Sequence, residues 1–79
     1  MNTPLEIALD IHHVIVETSL ARTLLDVPRC AERISRRYPL ADYTRAQIEE
    51  VLEQEGVEAG LAMRLAGRRQ MLYRPAAGL

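Results

Sequence analysis

Apolar residues recur at helical spacing along most of the chain, and the first run of them is the longest. From Leu5 to about Leu25 the apolar side chains fall on two nearly opposite sides of a helix. One broad side holds Ile7, Ala8, Ile11, Val14, Ile15, Ala21 and Leu25, and the other holds Leu5, Leu9, Val16, Leu20 and Leu24. A helix that is apolar on two sides has to be covered on both.

The start of this first helix is predicted from Thr3-Pro4-Leu5-Glu6. Thr3 is the expected N-cap, Pro4 fits the first helical position, and Glu6 completes a capping box. The β-branched run Val14-Ile15-Val16 favours a strand locally. A helix remains the better interpretation, because no second strand candidate is available to pair with this run.

Two further helices follow from their capping residues. Asp26 can cap a second helix, which Pro39 forces to stop. Thr44-Arg45-Ala46-Gln47 is a capping box for a third helix, with Tyr43 and Ile48 as a hydrophobic staple. The third helix is expected to run to about Glu55 and to end at Gly56, which suits the position after a helix C-terminus.

A fourth helix is predicted from Val57 or Glu58 to Gly67, and residues 74–79 are expected to form a loose tail. The fold class is therefore all-α, a small bundle of about four helices with a long N-terminal helix. Residues 1–79 are expected to form a single helical domain.

The length of 79 residues limits the stability of such a domain. A chain this short buries only about 60–65% of the surface that its unfolded form exposes. Cys30 is the only cysteine, so no internal disulfide can compensate. Three short helices can cover one side of the first helix, but covering both of its sides is harder. We therefore expect a homodimer interface at Leu5, Leu9, Val16, Leu20 and Leu24.

Charge and composition restrict the classes of partner. The net charge is −1, so no strong overall field attracts nucleic acid or a membrane. All ten basic residues are arginine, which is typical of a GC-rich, bacterial genome. The longest purely apolar runs have three residues, as at Val14-Ile15-Val16, so we expect a cytoplasmic protein without a membrane span.

No residue pattern points to catalysis or to a cofactor. His12 and His13 are adjacent and diverge by about 100° on a helix, so they cannot bind one ion together. Asp10, His13 and Glu17 share a stripe that resembles half of a carboxylate–histidine metal site, but the chain shows no matching half. Cys30 falls on an apolar side of its helix, away from both histidines. We expect no catalytic, metal or cofactor residues, and no enzyme.

Arginine clusters indicate a second possibility, DNA binding. The candidate contacts are Arg29, Arg33, Arg36, Arg37, Arg64, Arg68, Arg69 and Arg74. Five glutamates lie from Glu49 to Glu58, in the third helix and just after it, and they would repel DNA phosphates. Another element would therefore have to make the contact.

From Leu40 onward the chain resembles the Fis-type helix-turn-helix found at the end of many bacterial transcriptional activators. The similar positions are Leu40-Ala41-Asp42-Tyr43, Ile48, Val51-Leu52-Glu53, Gly56, Ala62, Arg64-Leu65, Gly67, Arg68-Arg69 and Leu72-Tyr73-Arg74. The resemblance implies that the last stretch opens a recognition helix. The chain departs from the pattern by one residue missing after Gly67 and by Pro75, which would break that helix. The segment from Arg37 to Leu65 also looks like a ubiquitin-associated three-helix fold, which implies a protein-binding shape.

The leading hypothesis is therefore a non-catalytic interaction module, a homodimeric small regulator or adaptor. The alternative is a helix-turn-helix-like regulator that binds DNA through its arginine clusters. The identity of a protein partner is open at this point.

Overall fold

The computed structural model describes residues 3–65 and the backbone of Leu72–Tyr73. The described chain is mostly helical, as predicted, and it also forms a small sheet. The elements in chain order are α1 (Leu5–Ala21), β1 (Leu25–Asp26), α2 (Val27–Arg37), α3 (Arg45–Glu58), β2 (Met63–Arg64) and β3 (Leu72–Tyr73). The strand order is β1-β2-β3, with β1 parallel to β2 and β3 antiparallel to it.

The long first helix is confirmed, but both of its predicted ends are wrong. Pro4, not Thr3, occupies the N-cap position, and no side chain caps the helix there. The Thr3 hydroxyl lies 3.0 Å from the Tyr43 hydroxyl and shares a hydrogen bond with it instead. The helix ends at Ala21 because Arg22 adopts a left-handed conformation, with φ 56° and ψ 44°.

The caps of the second and third helices are as predicted. Asp26 accepts a hydrogen bond from the backbone N–H of Arg29, at 3.3 Å, at the start of α2. Thr44 and Gln47 form the complete capping box of α3, with reciprocal bonds of 2.7 and 3.1 Å. These local signals are reliable because each satisfies a backbone N–H that the helix itself leaves free.

The predicted fourth helix over residues 57–67 is wrong in its described part. The third helix continues through Gly56 to Glu58, and the chain then turns at Gly60, where φ is +72°. Residues 61–65 run without helix and include β2. Their burial alternates, with Leu61, Met63 and Leu65 buried and Arg64 exposed, which is the period of a strand.

Gly56 is the point where α3 meets the sheet. A Cβ at this residue would contact the Met63 sulfur and would lie 3.1 Å from Cδ2 of Leu25. Gly56 therefore allows close packing from inside the helix. It does not form the helix end that the sequence predicted. This approach brings β1 and β2 against α3 at this residue, and both strands also contact α2.

The core lies between the three helices and the first two strands. One face of α1 contributes Ile7, Ile11 and Ile15, each at most 7% exposed. The other buried hydrophobic residues are Leu25, Val27, Ala31, Ile34, Ile48, Leu52, Leu61, Met63 and Leu65. Of the two predicted apolar sides of the first helix, the core thus covers the one that carries the isoleucines.

Replacing Leu52 by alanine should test the importance of this core. Leu52 is 0% exposed, so Leu52→Ala should lower the free energy of unfolding by about 2–5 kcal/mol. Leu40 is 98% exposed, and Leu40→Ala should change it by less than about 0.5 kcal/mol. Urea unfolding followed by circular dichroism measures both. Equal effects of the two substitutions would contradict the described core.

Candidate interaction surface

Five apolar side chains form an exposed stripe along α1 and the segment after it. Their exposed fractions are 73% for Leu5, 51% for Leu9, 39% for Val16, 80% for Leu20 and 43% for Leu24. We call these five residues the α1 apolar surface. They are the five residues that the sequence placed opposite the core-facing side. Leu24 follows the end of α1 rather than lying within it, but it is exposed like the others.

The core-facing side of α1, which we call the isoleucine face, explains why the α1 apolar surface stays uncovered. At about 100° per residue, Ile7, Ile11 and Ile15 point away from Leu5 and Leu9. The other helices pack on the isoleucines, since α2 and α3 both contact α1. One helix cannot turn both faces toward the same core. The described chain therefore leaves the leucine face to solvent.

Two polar edges border the α1 apolar surface, and both are exposed. Glu6, His13 and Glu17 lie on one side, which we call the acidic edge. His12 and Ser19 lie on the other side, which we call the neutral edge. A hydrophobic centre with polar edges is the usual arrangement of a protein–protein contact.

A groove between α1 and α2 lies beyond the acidic edge. It encloses about 170 Å³ and is lined by Asp10, His13, Val14, Glu17, Cys30, Arg33, Ile34 and Arg37. The Asp10 side chain is 13% exposed, and its Oδ2 lies 3.1 Å from Nη1 of Arg37. Among the described residues no donor meets hydrogen-bond geometry with that oxygen, so the pair is an ionic contact between α1 and α2.

The structure brings Cys30 and His13 to the same groove, which the sequence did not predict. Burial raises the pKa of the Cys30 thiol, and Asp26 adds to this, while the Arg33 and Arg29 charges oppose it. A raised pKa disfavours the thiolate, which is the nucleophilic form. Within residues 3–65, no group of three or more histidine, cysteine or acidic residues is placed to hold a metal ion.

The predicted DNA contacts fall into three groups. Arg36 pairs with Glu32 at 3.1 Å, Arg37 pairs with Asp10, and Arg64 pairs with Asp26 at 3.3 Å. In the part of the chain that the structure describes, Arg29 and Arg33 are exposed and form no ion pair within 4.0 Å. The remaining candidates, Arg68, Arg69 and Arg74, lie outside the described residues.

Of the stretch that would open a Fis-type recognition helix, the structure describes only the backbone of Leu72–Tyr73. Leu72–Tyr73 forms β3, which pairs with β2 in the register Met63 to Tyr73. The turn after Gly67 and the effect of Pro75 lie outside the described residues. Leu40 and Val57 are also exposed, at 98% and 45%, and the sequence did not predict their exposure. Isolated exposed apolar residues of this kind carry no periodic signal.

No helix among the described residues is long and apolar enough to cross a membrane. No protein-family model matches the chain, and no curated protein or solved structure matches it. The chemistry and exposure of its own residues therefore carry the functional argument.

Alkylation of Cys30 should test whether its thiol is activated. Because burial raises the pKa of this thiol, iodoacetamide should modify the native protein more slowly at pH 8 than the urea-unfolded protein. Mass spectrometry of timed samples measures both rates, and free glutathione serves as the control thiol. An alkylation rate that is higher in the native than in the unfolded protein would show an activated thiol and would support a catalytic role for the groove.

Proposed function

We propose that this protein is a non-catalytic interaction module that forms a homodimer through the α1 apolar surface. The observation that carries the proposal is the exposure of all five residues of this surface. A small regulator or adaptor in a bacterial cytoplasm is the setting that the sequence predicts.

The size of the surface is consistent with a dimer. The five side chains expose on the order of 500 Å² per copy, at the upper end of the largest apolar patch on typical monomers. Two copies would bury at most about 1,000 Å² from these residues alone, which is the threshold for a biological interface and just below the range of about 1,200–2,000 Å² for stable ones. The exposed edges would add further area.

A second copy of the chain is the occupant that we propose for this surface, because four of its five residues follow one side of a helix of 17 residues. A symmetric dimer supplies a matching stripe of equal length. It also adds buried surface to a domain of a size that often needs it.

DNA binding is the second candidate, and Arg29 and Arg33 favour it. Both are exposed on α2 without an ion pair in the described part of the chain. Three other candidate arginines are already neutralised by carboxylates. Two unpaired arginines among the described candidates give few phosphate contacts, and affinity for DNA depends on the number of such contacts.

A charge placed in the α1 apolar surface should dissociate the dimer. Leu9 is 51% exposed, so Leu9→Glu should leave the fold intact. A buried, unpaired carboxylate should raise the dissociation constant roughly 30-fold or more. Sedimentation equilibrium should find the wild type at twice the 8.9 kDa chain mass and the variant shifted toward 8.9 kDa.

Leu40→Glu is the matched control, because Leu40 is 98% exposed and lies outside this surface. It should sediment like the wild type. A wild type that stays monomeric at millimolar concentration would overturn the proposal. Dissociation by Leu40→Glu and Leu9→Glu alike would show that the effect is not local to α1.

Duplex DNA should separate the two candidate functions. The interaction module should not retard a DNA duplex at about 50 mM salt, because among the described candidates only Arg29 and Arg33 are free of ion pairs and available for phosphates. Gel retardation with wild type and Arg29→Ala/Arg33→Ala measures this. Retardation that weakens with salt and is lost in the double variant would favour the DNA-binding alternative.

A further inference from the structure

Two copies of α1 can meet in either of two directions, and the residues around the α1 apolar surface favour one of them. We propose that the helices pair in parallel, so that the two α2 helices with their arginines lie on opposite sides of the dimer. This inference rests on the proposed homodimer.

The four apolar residues within α1 are covered in either direction. In the parallel pair a twofold axis runs along the helices, and each residue lies across from its own copy. In the antiparallel pair, Leu5 lies across from Leu20 of the partner subunit and Leu9 across from the partner's Val16. Leu24 follows the helix end at Ala21, so the charges beside the four helical residues decide between the two directions.

The acidic edge also favours the parallel pair. In the antiparallel pair the twofold axis runs across the helices, so both acidic edges lie on the same side of the dimer. Glu6 then lies within one helical turn of Glu17 of the partner subunit, twice in the dimer. Like charges at this separation repel. In the parallel pair, each acidic edge faces the partner's neutral edge, which carries no acid.

The helix macrodipoles act in the opposite direction, because they favour antiparallel neighbours. This effect is confined to the first and last turns and is screened where the helix ends meet solvent. Leu5 and Leu20 are 73% and 80% exposed, so both ends of α1 are in solvent. We therefore give the glutamate pairs more weight.

The direction of pairing decides what else the dimer can do. The second helix packs beside the acidic edge, because Asp10, His13 and Glu17 line the groove that it shares with α1. An antiparallel dimer would place Arg33 from both copies on one side, where they could contact one duplex. A parallel dimer separates them to opposite sides. The parallel direction therefore supports the interaction module over a DNA clamp.

Cysteine cross-linking tests the direction. In a Cys30→Ser background, the Leu5→Cys variant places its thiols across the twofold axis of a parallel pair, at a Cα separation of about 6 Å. In an antiparallel pair the same two residues lie about 22 Å apart along the helix. Mild oxidation followed by non-reducing electrophoresis should therefore give a covalent dimer from the Leu5→Cys variant without any second variant in the mixture. Leu40→Cys in the same background is the control for random collisions.

Each outcome has one meaning. Efficient cross-linking of Leu5→Cys alone, at least tenfold faster than Leu40→Cys, supports the parallel pair. Cross-linking only in a mixture of Leu5→Cys with Leu20→Cys overturns it and leaves the homodimer standing. Reduced samples that sediment as monomers overturn the homodimer itself, and the direction of pairing with it.

Salt gives a second readout that does not depend on cysteine geometry. Screening of the glutamate pairs would tighten an antiparallel dimer as sodium chloride rises from about 50 to 500 mM. The Glu17→Gln variant would tighten it in the same way at low salt. The parallel dimer should show neither effect beyond twofold. A clear tightening by both changes would overturn the parallel assignment.

Discussion

At Gly56 the sheet packs directly against α3, and this close contact joins the strands to the helical core. Because residue 56 has no Cβ, Met63 of β2 and Leu25 of β1 can pack directly on the helix. The β1 strand then pairs with β2, and the Leu25 N–H donates to the Ala62 carbonyl at 3.0 Å. The position of β1 in turn fixes where the chain leaves α1 and where Asp26 starts α2.

With these elements fixed, α1 has only one side available for the core. The α2 and α3 helices pack on the isoleucine side of α1, and the strands pack on α2 and, at Gly56, on α3. The α1 apolar surface is therefore exposed because of the topology of the described chain and not because its side chains lack hydrophobicity. This exposure is the reason that we propose it as a docking site.

The electrostatic pairs are consistent with this division. Arg37 and Asp10 join α2 to α1, and Arg64 and Asp26 join β2 to the start of α2. These pairs use arginines that a nucleic-acid-binding surface would need free. Exposed ion pairs of this kind add little stability, so their main effect is on which charges remain available to a partner. The acidic edge of α1 takes part in neither of these two pairs, and its exposed charges remain available to a partner.

The sequence by itself determined the three helices, the caps at Asp26 and Thr44, and the two apolar sides of α1. Each depends on contacts within a few residues, namely capping bonds and helical periodicity. The sequence also contained the alternation of Leu61, Met63 and Leu65, but three apolar residues fit a short helix almost as well. Only the tertiary structure decided that this segment pairs with Leu25–Asp26, nearly forty residues earlier in the chain. A strand of two residues exists only through such a distant partner, so no local pattern can predict it. The same holds for Gly56, whose role is set by the side chains that approach it.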